Sequence, residues 1–160
     1  MMRNYTFIFV YLLLVCLAGC GDSSRPNDLP KLFPCIITIT QDDKPLPDAV
    51  VKLIPQTDTE MKYRPVAVTD TDGIVKMSTY GFAGVPAGKY KIVVIKNIDD
   101  DIVYRNDDVG ERSVVSYNTY RVVEKRFSDT ATTPYEIEIT PKSKNIPMTF
   151  DVGKTIKERI

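Results

Sequence analysis

From Cys35 onward the apolar residues of this chain recur at every second position in short runs, and none of the runs carries the spacing of a helical stripe. Cys35-Ile-Ile-Thr-Ile-Thr40 sets Ile37 and Ile39 on one face, and Ala49 to Pro55 does the same with Ala49, Val51 and Leu53. Tyr135-Glu-Ile-Glu-Ile-Thr140 alternates most cleanly, with Tyr135, Ile137 and Ile139 inward and the glutamates and Thr140 outward. Lys89 to Lys96 is apolar on both faces toward its end, which predicts a central strand. Turn residues separate these runs at Asp42–Asp48, at Asp70-Thr71-Asp72-Gly73 and at Gly84–Gly88. Arg64–Thr69, Ile74–Thr79 and Ile146–Val152 are further strand candidates. Short strands at close spacing with proline-rich turns predict an all-β antiparallel sandwich. Residues 97–133 fit this pattern least. Asn97–Asp108 reads as a solvated insertion, the segment Tyr117–Phe127 as either a strand or a draped loop, and the charged end 153–160 is expected to fray.

The N-terminus is of a different kind. Arg3 precedes a nearly unbroken apolar stretch from Phe7 to Leu17, too short for a membrane-spanning helix, which needs about 20 residues. It ends in Leu17-Ala18-Gly19-Cys20, which looks like a bacterial lipobox: small residues admit a signal peptidase to the backbone, and the Cys20 thiol takes a diacylglyceryl group. The expected division is a leader over 1–19, a lipidated cysteine and flexible polar tether over 20–34, and a folded domain over 35–152. Two or three acyl chains hold a protein durably on a membrane where one does not. The expected location is therefore the cell envelope, at the outer membrane or the outer face of the cytoplasmic membrane. With Cys16 lost in the leader, Cys35 is the only side-chain thiol besides the acylated Cys20. No intrachain disulfide is expected, and Cys35 reads as a small buried hydrophobe.

Composition narrows function by exclusion. Among 160 residues there is no histidine, which removes Ser-His-Asp and Cys-His nucleophile systems and most zinc, copper and non-haem iron sites. Lys+Arg and Asp+Glu are both 21, so no basic footprint points to nucleic acid or to anionic lipid. The expectation is a protein that is not an enzyme and carries no cofactor.

Three segments in sequence carry a resemblance. Lys44-Pro-Leu-Pro-Asp-Ala-Val-Val51, Thr69-Asp-Thr-Asp-Gly73 and Val85-Pro-Ala-Gly-Lys-Tyr-Lys-Ile-Val-Val94 resemble, in order and near spacing, the carboxypeptidase-regulatory-like, or transthyretin-like, domain. The chain departs from that pattern where Asp42-Asp43-Lys44 replaces the usual opening glycine. The stretch Val123–Pro134, followed by the Tyr135 strand and Asn145–Val152, is similar to the ending of small envelope lipoproteins with this domain. The resemblance implies a Greek-key sandwich of seven or eight strands, prealbumin-like in form, but no one activity. The hydrolases of this fold use histidines and a C-terminal Tyr-Arg-Gly-Ser, and its dioxygenases bind iron through histidine and tyrosine; neither set is present in this chain, which ends Lys-Glu-Arg-Ile.

The remaining candidates are surface features. Tyr117 and Tyr120, beside Asn118 and Arg121, are the candidate ligand surface. Asp70 and Asp72 read first as turn-capping carboxylates, and Asp99 and Asp101, with Asp100, Asp107 and Asp108, as a solvated acidic loop; both groups are weak calcium candidates. The expected role is a binding or accessory module held to the membrane by its N-terminal lipid, with an envelope protein or a glycan as partner. A spacer without a specific ligand and a calcium-stabilised carbohydrate-binding module are the alternatives.

Overall fold

A computed structural model of the chain describes residues 25–57, 62–106, 110–142 and 147–160. The expected leader and its Leu17-Ala18-Gly19-Cys20 motif lie outside these residues. In chain order the strands are β1 (Leu32–Phe33), β2 (Ile36–Gln41), β3 (Lys44–Pro45), β4 (Val50–Pro55), β5 (Val66–Val68), β6 (Ile74–Lys76), β7 (Ser78–Thr79), β8 (Phe82–Ala83), β9 (Val85–Pro86), β10 (Gly88–Ile95), β11 (Asn97–Asn106) and β12 (Arg112–Arg121). A single helical turn, α1 (Lys125–Ser128), follows, then β13 (Glu136–Ile139), β14 (Met148–Asp151) and β15 (Glu158–Arg159).

The fold is a β-sandwich. One four-stranded sheet has the order β13-β10-β4-β5; the other is built on β2, flanked by β14 on one side and by β3 and β6 on the other. The alternation in the sequence has its cause here. Ile37 and Ile39 of β2 face Val51 and Leu53 of β4 and Tyr90, Ile92 and Val94 of β10 across one continuous apolar core, while Glu136 and Glu138 of β13 stay in solvent. β10 is interior to its sheet, as its sequence predicts, with Ile92, Val93 and Val94 all buried. Tyr90 is fully enclosed and donates its hydroxyl hydrogen bond to the Pro86 carbonyl at 2.9 Å, which satisfies the one polar atom it brings into the core. Tyr135 lies just before β13 and is half-buried. Its ring stacks on Phe127 of α1 with centroids 5.6 Å apart and meets Phe150 of β14 at 5.0 Å.

Two turns are knotted together at one end of β2. Asp42 and Asp43 both adopt positive φ, 51° and 59°, forming a two-residue hairpin loop of the mirror-image kind that glycine or asparagine usually supplies. Asp42 then earns its place through its carboxylate, which accepts from the Thr155 amide at 3.0 Å and the Thr155 hydroxyl at 2.7 Å. At the second turn Asp70 Oδ1 accepts from the amides of Asp72 (3.0 Å) and Ile74 (2.9 Å). Gly73 accepts at its carbonyl from Ile39 (2.8 Å), while Ile39 accepts at its own from Leu46 (2.9 Å). The buried Thr69 hydroxyl closes the knot, donating to Leu46 O at 2.7 Å and accepting from Ala49 N at 2.8 Å.

Three expectations are revised. First, β14 runs parallel to β2, pairing Met148 with Ile37 through Asp151 with Thr40, in an otherwise antiparallel structure. The two strands are joined through the whole domain, so no tight turn forces them antiparallel. Second, the insertion at 97–106 is strand, not loop, and 112–121 is its partner strand. Third, the charged C-terminal end is docked. Ile156 N donates to Val122 O at 3.1 Å, and Glu158–Arg159 pair with Tyr120–Arg121, closed by an Arg121–Glu158 ion pair at 3.0 Å. The ordered body also begins before Cys35, since β1 pairs with β9.

Gly73 and Gly81 both lie in the left-handed region, at φ 70° and 81°. A Cβ at Gly73 would sit 2.5 Å from Ile39 O, whereas one at Gly81 meets nothing within 4 Å. Gly73→Ala is therefore expected to lower stability by about 2 kcal/mol or more, and Gly81→Ala by only the backbone strain of about 1–2 kcal/mol. Chemical denaturation of the two variants checks this, and equal losses would refute the steric account. Cys35 is buried, and burial pushes its thiol up to about 11. Because the unfolded thiol ionises first, stability is expected to fall as pH rises from 9.0 toward that value, and a maleimide should label Cys35 only after unfolding.

Candidate functional site

β11 and β12 form a long antiparallel ribbon, paired from Asn97–Arg121 at its base to Asn106–Arg112 near its tip. β-Branched and aromatic residues recur along both strands, Ile98, Ile102, Val103 and Tyr104 on β11 and Val114, Val115, Tyr117, Thr119 and Tyr120 on β12, which favours strand over helix even without burial. Every described side chain of β11 is exposed, as are those of β12 up to Tyr117. An isolated two-stranded ribbon is marginal in water. Here polar side chains fasten its base in place of a core.

Asp101 has φ 55° and lies in a register shift between Asp100 and Val103, a bulge that turns its carboxylate toward β12. That carboxylate accepts from the Tyr120 hydroxyl and from Asn118 Nδ2 at 3.2 Å. Thr119 Oγ1 donates to Asp99 at 2.7 Å. Lys157, from the docked C-terminal segment, donates to Asp100 at 2.5 Å and sits 4.5 Å from the centre of the Tyr120 ring. The Lys157 hydrogen bond holds the Asp100 carboxyl below its ordinary range, and those from Tyr120 and Asn118 do the same for Asp101. Asp101 in turn pushes the Tyr120 phenol up, and Asp100 pushes the Lys157 ammonium up.

The two candidate tyrosines therefore have different surroundings. Tyr120 is half-buried and committed to Asp101 and Lys157, whereas Tyr117 is 55% exposed. Tyr117 lies in a run of exposed apolar side chains with Ile102, Val103, Tyr104, Val114 and Val115. Sequence reasoning singled out Tyr117 but not the aliphatic residues around it. Their β-branched and aromatic content is a strand signal that the neighbouring aspartates obscured. Arg112 covers one face of Tyr104, 4.1 Å from the ring centre.

The carboxylates have separate partners. Asp99, Asp100 and Asp101 each bond a different donor set, Asp70 caps two backbone amides, and Asp107 and Asp108 lie outside the described residues. Among the described residues no three His, Cys, Asp or Glu side chains converge as a metal site would require. The site presents apolar and aromatic surface on an exposed arm, braced by charge at its root.

No family model matches the chain, and no curated protein matches it in sequence. Among solved structures it is similar to the major pilin subunit of Bacillus cereus, at 13% identity and TM-score 0.41, over 77% of this chain and 30% of the pilin. It is also similar to a 9R-lipoxygenase from Cyanothece, at 16% identity and TM-score 0.30, over 90% of this chain and 19% of the lipoxygenase.

Because Asp100 and Asp101 ionise more readily here than in the unfolded chain, their contribution is present above the ordinary carboxyl value of 3.8 and is lost as pH falls below it. Amide protection factors at Asp101 and Tyr120, taken relative to the intrinsic exchange rate at each pH, are expected to fall on acidification through that range before those of the β10 amides. Tyr120→Phe should produce the same local loosening at neutral pH. Simultaneous loss of protection in ribbon and core would contradict it.

Proposed function

We propose that this chain is an exported, lipid-anchored module of the bacterial cell envelope, non-enzymatic, whose sandwich holds the β11–β12 ribbon out as a contact arm for another envelope protein or a glycan. The observation that carries this reading is the run of Ile102, Val103, Tyr104, Val114, Val115 and Tyr117 left in solvent on a braced arm. Exposed apolar and aromatic side chains gathered on one arm in this way favour a contact role. They favour binding over a bare spacer, which has no use for such surface.

The anchor rests on the sequence: a short apolar leader ending in Leu17-Ala18-Gly19-Cys20, then a polar tether. Kinship with the carboxypeptidase-regulatory-like domain rests on its three motifs. The knot of Leu46, Thr69 and Gly73 gives the first two a shared structural reason, and the Val85–Val94 motif supplies β9 and the central strand β10. The non-enzymatic reading rests on the missing histidine and on carboxylates engaged separately.

Two measurements on the full chain test the halves of this reading. Cys20→Ala is expected to move the protein from the detergent-rich to the aqueous phase on phase separation, and an unchanged partition would refute the anchor. The wild-type chain is expected to retain a saturable, stoichiometric partner from solubilised envelope, and Tyr104→Ser/Tyr117→Ser to retain about tenfold less with an unchanged thermal midpoint. Equal capture by both would remove the ribbon from the function.

A further inference from the structure

The sandwich has two ends of different character. The root of the ribbon lies at one, where β10 finishes at Ile95, β11 begins at Asn97 and Lys96 donates to the Pro47 carbonyl at 2.6 Å. β1, β9 and the β7–β8 hairpin lie at the other, where β10 starts at Gly88, and Tyr63 joins them from the connection between β4 and β5. The eight residues of β10 set the two ends about 23 Å apart.

The end opposite the ribbon is also where the chain arrives from Cys20. Arg25 is already fixed there: its guanidinium donates to the Leu29 and Pro30 carbonyls at 3.4 and 2.7 Å and lies 6.0 Å from the centre of the Phe82 ring. Cys20 precedes Arg25 by five residues, a reach of at most about 18 Å. A lipid carried on Cys20 therefore keeps this end of the domain beside the bilayer.

Its side chains suit that surface. Tyr80 is 61% exposed and takes φ 53°, which a bulky residue rarely adopts; with Gly81 it forms the turn between β7 and β8, at the tip of the hairpin. Its ring meets Tyr63 edge-on at 5.6 Å, and its hydroxyl donates to the Lys62 carbonyl at 3.3 Å. Lys62 lies 5.3 Å from the centre of the Tyr63 ring. Arg25, Lys31 and Lys62, against Asp28, which Lys62 engages, give the described residues around these rings a net positive charge. Beside Phe82, the side chains of Leu32, Pro34, Met77 and Ala83 line an open apolar recess of about 390 Å³. Aromatic rings set among basic side chains, whose stems take apolar surroundings while their charges stay in water, settle at the level of lipid headgroups.

We infer that this end of the sandwich seats on the phospholipid surface that holds Cys20, with Tyr80 and Phe82 at headgroup depth, and that the root of the ribbon is thereby turned away from the bilayer. The short tether supplies the proximity, and the aromatic and basic side chains supply the contact.

The inference rests on the anchor of the proposed function, and one preparation tells the two apart. The chain has no tryptophan, so Tyr80→Trp, Phe82→Trp and Tyr117→Trp each carry a single emitter. The lipidated full chain is reconstituted in phosphatidylcholine–phosphatidylglycerol vesicles whose acyl chains are brominated near the headgroup. Tyr80→Trp and Phe82→Trp are expected to be quenched about fivefold more than Tyr117→Trp. Inserting about 20 glycine and serine residues after Asp22 should leave that difference in place, because contact and not a short leash holds the face down. A chain that does not float with the vesicles overturns the anchor, and this inference with it. One that floats while all three variants are quenched equally, or whose difference disappears with the longer tether, overturns the seating alone.

Discussion

Gly73 gives its carbonyl to Ile39, Ile39 gives its own to Leu46, and the Thr69 hydroxyl ties Leu46 to Ala49. This buried chain of hydrogen bonds joins the end of β2 to the start of β4, and these strands belong to opposite sheets. The facing of Ile37 and Ile39 onto Val51 and Leu53 therefore depends on it. A donor or acceptor left unpaired there would cost about 1–3 kcal/mol, a large fraction of the stability of a domain this size. The knot is polar and local, but it determines how the apolar faces meet.

The ribbon obeys different physics. It has no buried apolar face, and its register at the base is held by Asp99, Asp101, Thr119, Tyr120 and Lys157 in partly solvated surroundings. Exposed pairs of this kind contribute little singly. Among the described elements the ribbon therefore has little local stability of its own. The exposed apolar residues lie farther out on the arm and the charged brace lies at its root, so the two are separated along the ribbon.

Much of the sandwich was legible in the sequence because a half-buried strand writes its two faces into alternate residues. Ile37 and Ile39, Val51 and Leu53, and Ile137 and Ile139 are buried as the alternation requires, and Asp70–Gly73 forms the turn its composition specifies. The ribbon was not legible in the same way. Asp99–Asp101 and Asp107–Asp108 read as loop because acidic runs usually remain solvated, and burial gave no alternation to detect. The parallel pairing of β14 and the docking of Glu158–Arg159 on β12 rest on contacts between residues far apart in the chain, which local patterns do not record. Of the site, Tyr117 and Tyr120 were visible as residues, but not that one would be committed to Asp101 and the other left in solvent.

By itself, the sequence determined the all-β class, the turns at Asp42–Asp43 and Asp70–Gly73 though not at Gly84–Gly88, where Val85–Pro86 pairs with β1, the faces of the core strands and, through its lack of histidine, much of the chemistry that is excluded. These are properties of residue type and short-range periodicity, and they survive without knowledge of neighbours. Tertiary structure alone decided which strands pair, that Asn97–Asn106 and Arg112–Arg121 project as a ribbon, and that Lys157 reaches back to brace it. Each of those outcomes depends on free energy shared between distant segments, so it exists only once the chain has closed on itself.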